Sequence, residues 1–212
     1  MKAFIFDLDG VIVNTDKFHY LAWKKLADDE GIEFDEKIND RLRGVSRMKS
    51  LEIILERSER SYSNEEKELM AEKKNRIYRG LLENLRAVDR IEGVTETLEE
   101  LRKRGYKLAI GSSSKNTPII LEKIGYGDYF DAVSDGNCIK KSKPDPEVFL
   151  KAAEFLGEAP KNCFVVEDAE AGIDAAVSGG FFPVGIGNAG NYKKTKIKLE
   201  NFSDLLKLLT IE

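Results

Sequence analysis

Ala3-Phe4-Ile5-Phe6-Asp7-Leu8-Asp9-Gly10 begins as a run fit for a buried strand and breaks off into two acids separated by one leucine. A carboxylate at the end of such a strand loses hydration unless a cation or a hydrogen-bond donor meets it. Two carboxylates so close also repel one another. The segment therefore asks for a cation, a set of donors or a reaction that uses the acids. A turn at Asp9-Gly10 is the plainer alternative, and the remaining residues decide between them.

Working outward, the 212 residues suffice for one large domain or a domain with an insertion. The composition, 42% hydrophobic and 34% charged, suits a soluble globular chain. A net charge of −4 argues against a nucleic-acid surface. Met1-Lys2-Ala3-Phe4 offers too short an apolar run for a signal peptide, and no apolar run is long enough to span a membrane, so a cytoplasmic location is expected. Cys138 and Cys163 lack metal-ligand spacing, and Cys163, inside an apolar run, reads as a reduced core thiol.

After Gly10 the period changes from strand to helix. Phe18, Leu21, Ala22 and Leu26 recur at helical spacing and Gly31 supplies a stop. Asp35 and Ser46 suit the caps of two further helices. Ser63 with Glu66 has the capping-box pattern at the head of a fourth, running towards Leu85. Positive and negative charges balance within 14–86, so the net charge lies outside that block. From Arg90 strands and helices alternate. The strands are Lys107–Ile110, Tyr129–Ser134, Cys163–Val166 and Phe182–Ile186, with Thr117-Pro118 and Asp145-Pro146 opening helices and Ser203 capping a last one. The expected fold is α/β, a doubly wound parallel-sheet (Rossmann-like) core with an inserted α-helical cap. Residues 1–13 and 87–212 form the core and 14–86 the cap, with hinges near Val13–Asp16 and Leu85–Arg90.

In an open parallel sheet, ligands bind outside the carboxyl ends of the strands. There this chain places Asp7 and Asp9, then Gly111-Ser112-Ser113-Ser114-Lys115-Asn116, then Glu167-Asp168, with Lys143-Pro144 before a helix. Four carboxylates with serines and a lysine suit Mg2+ and a phosphate, because Mg2+ takes oxygen ligands and shares them with substrate phosphates. Taken singly, each could be a turn or a cap; four at one sheet edge favour a site. Lys74 falls in line with Met70, Ile77 and Leu81 on one helix face, where a lysine must snorkel or find an anion. Gly185-Ile186-Gly187-Asn188-Ala189-Gly190 fits a dinucleotide fingerprint, but too little chain follows it for a βαβ unit, and it reads as a loop.

Asp7-Leu8-Asp9-Gly10, Ser112, Lys143-Pro144 and Glu167-Asp168 resemble, in order, the four motifs of the haloacid dehalogenase-like phosphotransferases. The resemblance covers essentially the whole chain. Within that superfamily the block after Gly10 resembles the sugar-phosphate mutases, through Thr15, His19, Trp23, the Arg-x-x-Ser of Gly44-Val45-Ser46-Arg47-Met48-Lys49-Ser50, Lys74-Asn75 and Ser112 to Asn116. The resemblance implies that Asp7 is the nucleophile and Asp9 the general acid and base, with Thr15 and His19 at the hinge. It implies a metal site at Asp7, Asp9, Glu167 and Asp168, the Asp9 ligand being its backbone carbonyl. Ser112 and Lys143 would hold the transferring phosphoryl group. Arg47 with Ser114, Lys115 and Asn116 would hold a distal phosphate, and Trp23, Gly44, Ser50, Lys74 and Ser113 would complete the substrate contacts.

The implied activity interconverts beta-glucose 1-phosphate and glucose 6-phosphate through a bisphosphate, in a monomer that takes a small sugar-phosphate substrate and no nucleic acid or membrane. A sugar-phosphate phosphatase and a phosphate-sensing module without turnover are the alternatives. Asn14, Glu92 and Ala169 depart from the family's usual residues, which bears on the hinge and on supporting hydrogen bonds rather than on the catalytic set.

Overall fold

The computed structural model describes residues 1–210. Among them, six strands form one sheet: β1 (Ala3–Phe6), β2 (Lys107–Gly111), β3 (Ala132–Ser134), β4 (Cys163–Glu167), β5 (Phe182–Ile186) and β6 (Ile197–Leu199). Their spatial order is β3-β2-β1-β4-β5-β6 and every neighbouring pair is parallel. β1 lies inside the sheet, with Ile5 registered against Ala109 on one side and Val165 on the other.

Alternation along β1 sends Phe4 and Phe6 to one face and Ala3 and Ile5 to the other, and all four are fully buried. A strand covered on both faces has no use for polar residues, hence the unbroken apolar run. The phenylalanine face is covered by Leu98 and Leu101 of α5 (Val94–Lys103), Ile120 of α6 (Thr117–Lys123), and Phe202 of the 3-10 helix Phe202–Thr210. Val148 and Phe149 of α7 (Glu147–Leu156) and Ala175 and Ala176 of α8 (Glu170–Ser178) cover the other face.

Between β1 and α5 the chain forms α1 (Asp16–Asp29), α2 (Glu36–Asp40), α3 (Arg47–Leu55) and α4 (Asn64–Leu82). Trp23, Leu26, Ile38, Leu51, Ile54 and Met70 give these helices an apolar cluster of their own, while Tyr78 and Leu82 of α4 join the core beneath the sheet. The caps form as the sequence leads one to expect. Asp35 accepts from the Ile38 N–H at 2.8 Å and Ser46 from the Lys49 N–H at 3.2 Å, and Ser63 and Glu66 close a capping box. The two connections to the sheet run side by side, Val13 bridging to Arg90 and the Ile91 N–H donating to the Ile12 carbonyl at 3.0 Å.

Three expectations are corrected. The strand expected over 129–134 is only Ala132–Ser134, because Tyr129 and Phe130 are drawn into a ring cluster with Tyr126. β6 was not expected: three residues among lysines carry too little periodicity to show. Ser203 does not cap the last helix, which begins at Phe202. The Asp204 carboxylate instead accepts the Glu200 and Asn201 N–H groups at 3.1 and 2.9 Å.

Replacing Ser63 with Ala removes one half of the capping box on the exposed start of α4. Urea unfolding should show a loss of about 1 kcal/mol with turnover unchanged; unchanged stability would contradict the cap.

Candidate active site

The strand order changes direction between β1 and β4, and the crevice outside their carboxyl ends is where such a sheet opens. Asp7 leaves β1 there, its N–H donating to the Val166 carbonyl at 2.9 Å, and Glu167 ends β4. Lys143 enters between them. Its Nζ lies 2.5 Å from Asp7 Oδ1 and 2.5 Å from Glu167 Oε1, with both partners and the lysine buried. Burial alone would pull the lysine pKa down, but the two carboxylates outweigh it and hold the value above the ordinary range, so the ammonium stays charged. The Phe149 ring supports Nζ from 4.7 Å. That ring fits because residue 111 is glycine: a Cβ there would come within 2.6 Å of it.

Asp7, Glu167 and Asp168 each offer an oxygen within 4.8 Å of the others. Burial and then the neighbouring carboxylates Glu167 and Asp7 push Asp168 up to about 8. Burial, opposed by Lys143 and aided by Asp7, pushes Glu167 up to about 7. Such a group resists collecting negative charge unless a cation joins it. An all-oxygen carboxylate set fits a hard divalent ion. Two glycines make room for the acids: a Cβ on Gly10 would lie 2.2 Å from an Asp168 oxygen, and one on Gly172 would lie 1.9 Å from Glu167.

Asp9 turns the other way and accepts a hydrogen bond from the Thr15 hydroxyl. Burial, then Asp7, raise its pKa to about 7, against the pull of that hydrogen bond. Such a group can give or take a proton near neutrality.

A cleft of about 490 Å³ opens over these residues. The sheet side supplies Asp7, Asp9, Ser112, Ser113, Ser114, Lys115, Asn116, Lys143 and Asp168; the segment that carries α1 to α4 supplies His19, Trp23, Gly44, Arg47, Ser50 and Lys74. Of the residues expected from sequence, only Thr15 and Glu167 lie behind its wall, where they hold Asp9 and Lys143. Lys74 does not snorkel; it is 3% exposed. Its Nζ sits 2.9 Å from His19 Nδ1, 4.7 Å from the Trp23 ring centroid and 4.5 Å from that of Tyr78. Burial, then Arg47, lower its pKa to about 7. Burial, then Lys74, keep the His19 pKa well below its usual value, so the ring is neutral. Among the described residues, neither Arg47 nor Lys74 has a carboxylate at ion-pair distance. Lys143, by contrast, has two.

Sequence reasoning missed Arg43, which pairs with Asp16 and reaches within 4.0 Å of Asp168. Nothing distinguishes it in sequence from its neighbour Arg41, which pairs at the surface with Glu56. Gly44 follows with φ +71, and a Cβ there would come 2.9 Å from the Ala169 Cβ, so this loop lies directly on the turn after β4. Asn116 reaches across to Asn75, its Nδ2 donating to the Asn75 Oδ1 at 2.9 Å.

A family model for the haloacid dehalogenase-like hydrolases matches residues 4–185. The chain belongs to that family. Within it, the chain is 43% identical to the beta-phosphoglucomutase of Bacillus subtilis, over 97% of this chain and 92% of that one. It is 33% identical to the phosphorylated carbohydrates phosphatase of Thermotoga maritima, over 85% of this chain and 82% of that one. Among solved structures, the beta-phosphoglucomutase of Clostridium difficile superposes with a TM-score of 0.92 at 42% identity, covering 99% of this chain and 96% of the other. The carboxylate–lysine cluster thus belongs to a haloacid dehalogenase-like hydrolase whose relatives include both mutases and phosphatases.

Gly172→Ala should push the Glu167 carboxylate out of its place. Calorimetric titration of the folded variant with Mg2+ should show affinity reduced by about tenfold or more; wild-type affinity would contradict this packing.

Proposed function

We propose that the chain is a beta-phosphoglucomutase, interconverting beta-glucose 1-phosphate and glucose 6-phosphate through glucose 1,6-bisphosphate. One observation carries the reading: across the cleft from Asp7 stand Arg47 and Lys74, neither of which, among the described residues, has a carboxylate at ion-pair distance. A cation withdrawn from water without an anion is costly. A substrate with a phosphate at each end would supply that anion to Arg47 while its other phosphate meets Asp7.

In this reading Asp7 attacks the phosphorus and becomes an aspartyl phosphate. Ser112 and Lys143 hold the phosphoryl oxygens, a task of positioning and charge stabilisation. Asp9, released from Thr15, protonates the departing hydroxyl oxygen and later takes the proton back from the incoming one. Arg47 meets the distal phosphate as a planar fork, with Ser114, Lys115 and Asn116 facing it. Lys74, His19, Ser50, Gly44 and Trp23 line the sugar's side of the cleft. The Asp7, Glu167 and Asp168 side chains and the Asp9 carbonyl would hold the cation, proposed as Mg2+. It would neutralise repulsion between carboxylate and phosphate. Residues 14–86 are proposed as a cap over a core of 1–13 and 87–212, excluding water so that the phosphoryl group passes to sugar. No described helix is long and apolar enough to cross a membrane; a cytoplasmic, monomeric enzyme is the proposed setting.

The likeness to the Thermotoga maritima phosphatase motivates the competing reading, in which water is the acceptor. The two are separated by supplying beta-glucose 1-phosphate, Mg2+ and a trace of glucose 1,6-bisphosphate. Glucose 6-phosphate accumulating with little free phosphate is expected; stoichiometric phosphate release would overturn the mutase. Arg47→Ala should cut mutase turnover by about a hundredfold and spare hydrolysis of a small phosphate ester, whereas equal loss of both would remove Arg47 from the distal site.

A further inference from the structure

Tyr78 lies one turn beyond Lys74 on α4, and neither the sequence motifs nor the catalytic scheme above gives it a task. It is among the largest fully buried side chains. Its ring stacks on His19 with centroids 4.1 Å apart at 31°, and its other contact of note is the Lys74 ammonium at 4.5 Å. Tyr78 therefore forms one wall of the box that holds the His19–Lys74 pair.

The other end of the side chain is more telling. The Tyr78 hydroxyl is buried and has no hydrogen-bond partner. A phenol enclosed without a partner is unfavourable, and a phenylalanine at this position would avoid the cost. Burial and then the charge of the Asp9 carboxylate raise the Tyr78 pKa well above the usual value, and the short-range influence of the Thr15 side chain, in the opposite sense, puts the Thr15 hydroxyl within reach of the phenol. Thr15 is fully buried and gives its single proton to Asp9. Its oxygen keeps lone pairs that a phenol can meet. When Asp9 turns to the substrate, Thr15 loses its acceptor, and the Tyr78 hydroxyl is the neighbouring group able to exchange a hydrogen bond with it.

We propose that Tyr78 is a positioning residue for phosphoryl transfer: its ring fixes His19 and Lys74, and its hydroxyl takes up Thr15 when Asp9 turns to the sugar hydroxyl. The same side chain would then make Lys74, at the sugar, and Asp9, at the reacting oxygen, adopt their working positions together. This rests on the proposed mutase function. The chemistry itself passes through Asp9; Tyr78 touches neither substrate nor phosphorus.

The test compares wild type, Tyr78→Phe, Thr15→Val and the double variant, with glucose 6-phosphate and free phosphate counted in one assay. Tyr78→Phe keeps the ring and removes only an unpartnered hydroxyl, so it should melt no lower than wild type. Its kcat for glucose 6-phosphate should fall about tenfold, with KM for beta-glucose 1-phosphate held within about twofold, since a misplaced catalytic group costs rate more than binding. Free phosphate per glucose 6-phosphate should rise, because water then competes better for the phospho-enzyme. In the Thr15→Val background the same change should cost nothing further, as expected of two groups acting through one contact. Tyr78→Leu, which also removes the ring, should raise KM as well. Wild-type kcat and product ratio in Tyr78→Phe, or losses that simply add in the double variant, would overturn the proposal. If wild type itself forms no glucose 6-phosphate, the mutase reading fails first, and the two failures are thereby distinguished.

Discussion

Lys143 buried between Asp7 and Glu167 is the interaction on which the rest of the site depends. Three carboxylates gathered at the ends of two adjacent strands would drive one another apart or take up protons. One buried ammonium offsets part of that charge and fixes Asp7 in place. Removing one partner from a buried ion pair typically costs about 3–5 kcal/mol, because the remaining charge is stranded. The fold answers this demand in several places. Phe149 backs the ammonium, Gly111 admits Phe149, and Gly10 and Gly172 leave room for the acids.

The cleft is electrically lopsided as a consequence. On the sheet side Lys143 is already matched by two of the three carboxylates, so a divalent cation is welcome there. On the helix side Arg47 and Lys74 have, among the described residues, no acid at ion-pair distance, so an anion is welcome there. With a divalent cation held at the carboxylates, a molecule with phosphates at both ends would meet the two sides at once, whereas a ligand with one phosphate would leave Arg47 unmatched. This asymmetry, more than the depth of the cleft, is what favours sugar as phosphoryl acceptor in the proposed function.

Much of this was legible in the sequence, for definite reasons. A strand buried on both faces must be apolar throughout, so Asp7 after Ala3–Phe6 announces itself, and Glu167 after Cys163–Val166 does the same. Capping residues follow local hydrogen-bond rules, so Asp35, Ser46 and Ser63 could be placed without tertiary knowledge. What escaped depends on long-range contact. Arg43 reads as another surface arginine until the chain brings it to Asp168, 125 positions later. Ile197–Leu199 becomes a strand only because β5 offers it an edge. Tyr78 looks like one more apolar position on α4, and only the unpartnered hydroxyl near Thr15 distinguishes it.

The central claim is that Asp7 carries the phosphoryl group and that a sugar receives it. The most direct measurement treats the protein with glucose 1,6-bisphosphate bearing labelled phosphate, quenches in acid and locates the label by peptide mass analysis. The account predicts label on the peptide containing Asp7, chased by beta-glucose 1-phosphate into glucose bisphosphate and glucose 6-phosphate. Label on another residue, or label from Asp7 that leaves only as free phosphate, would contradict it.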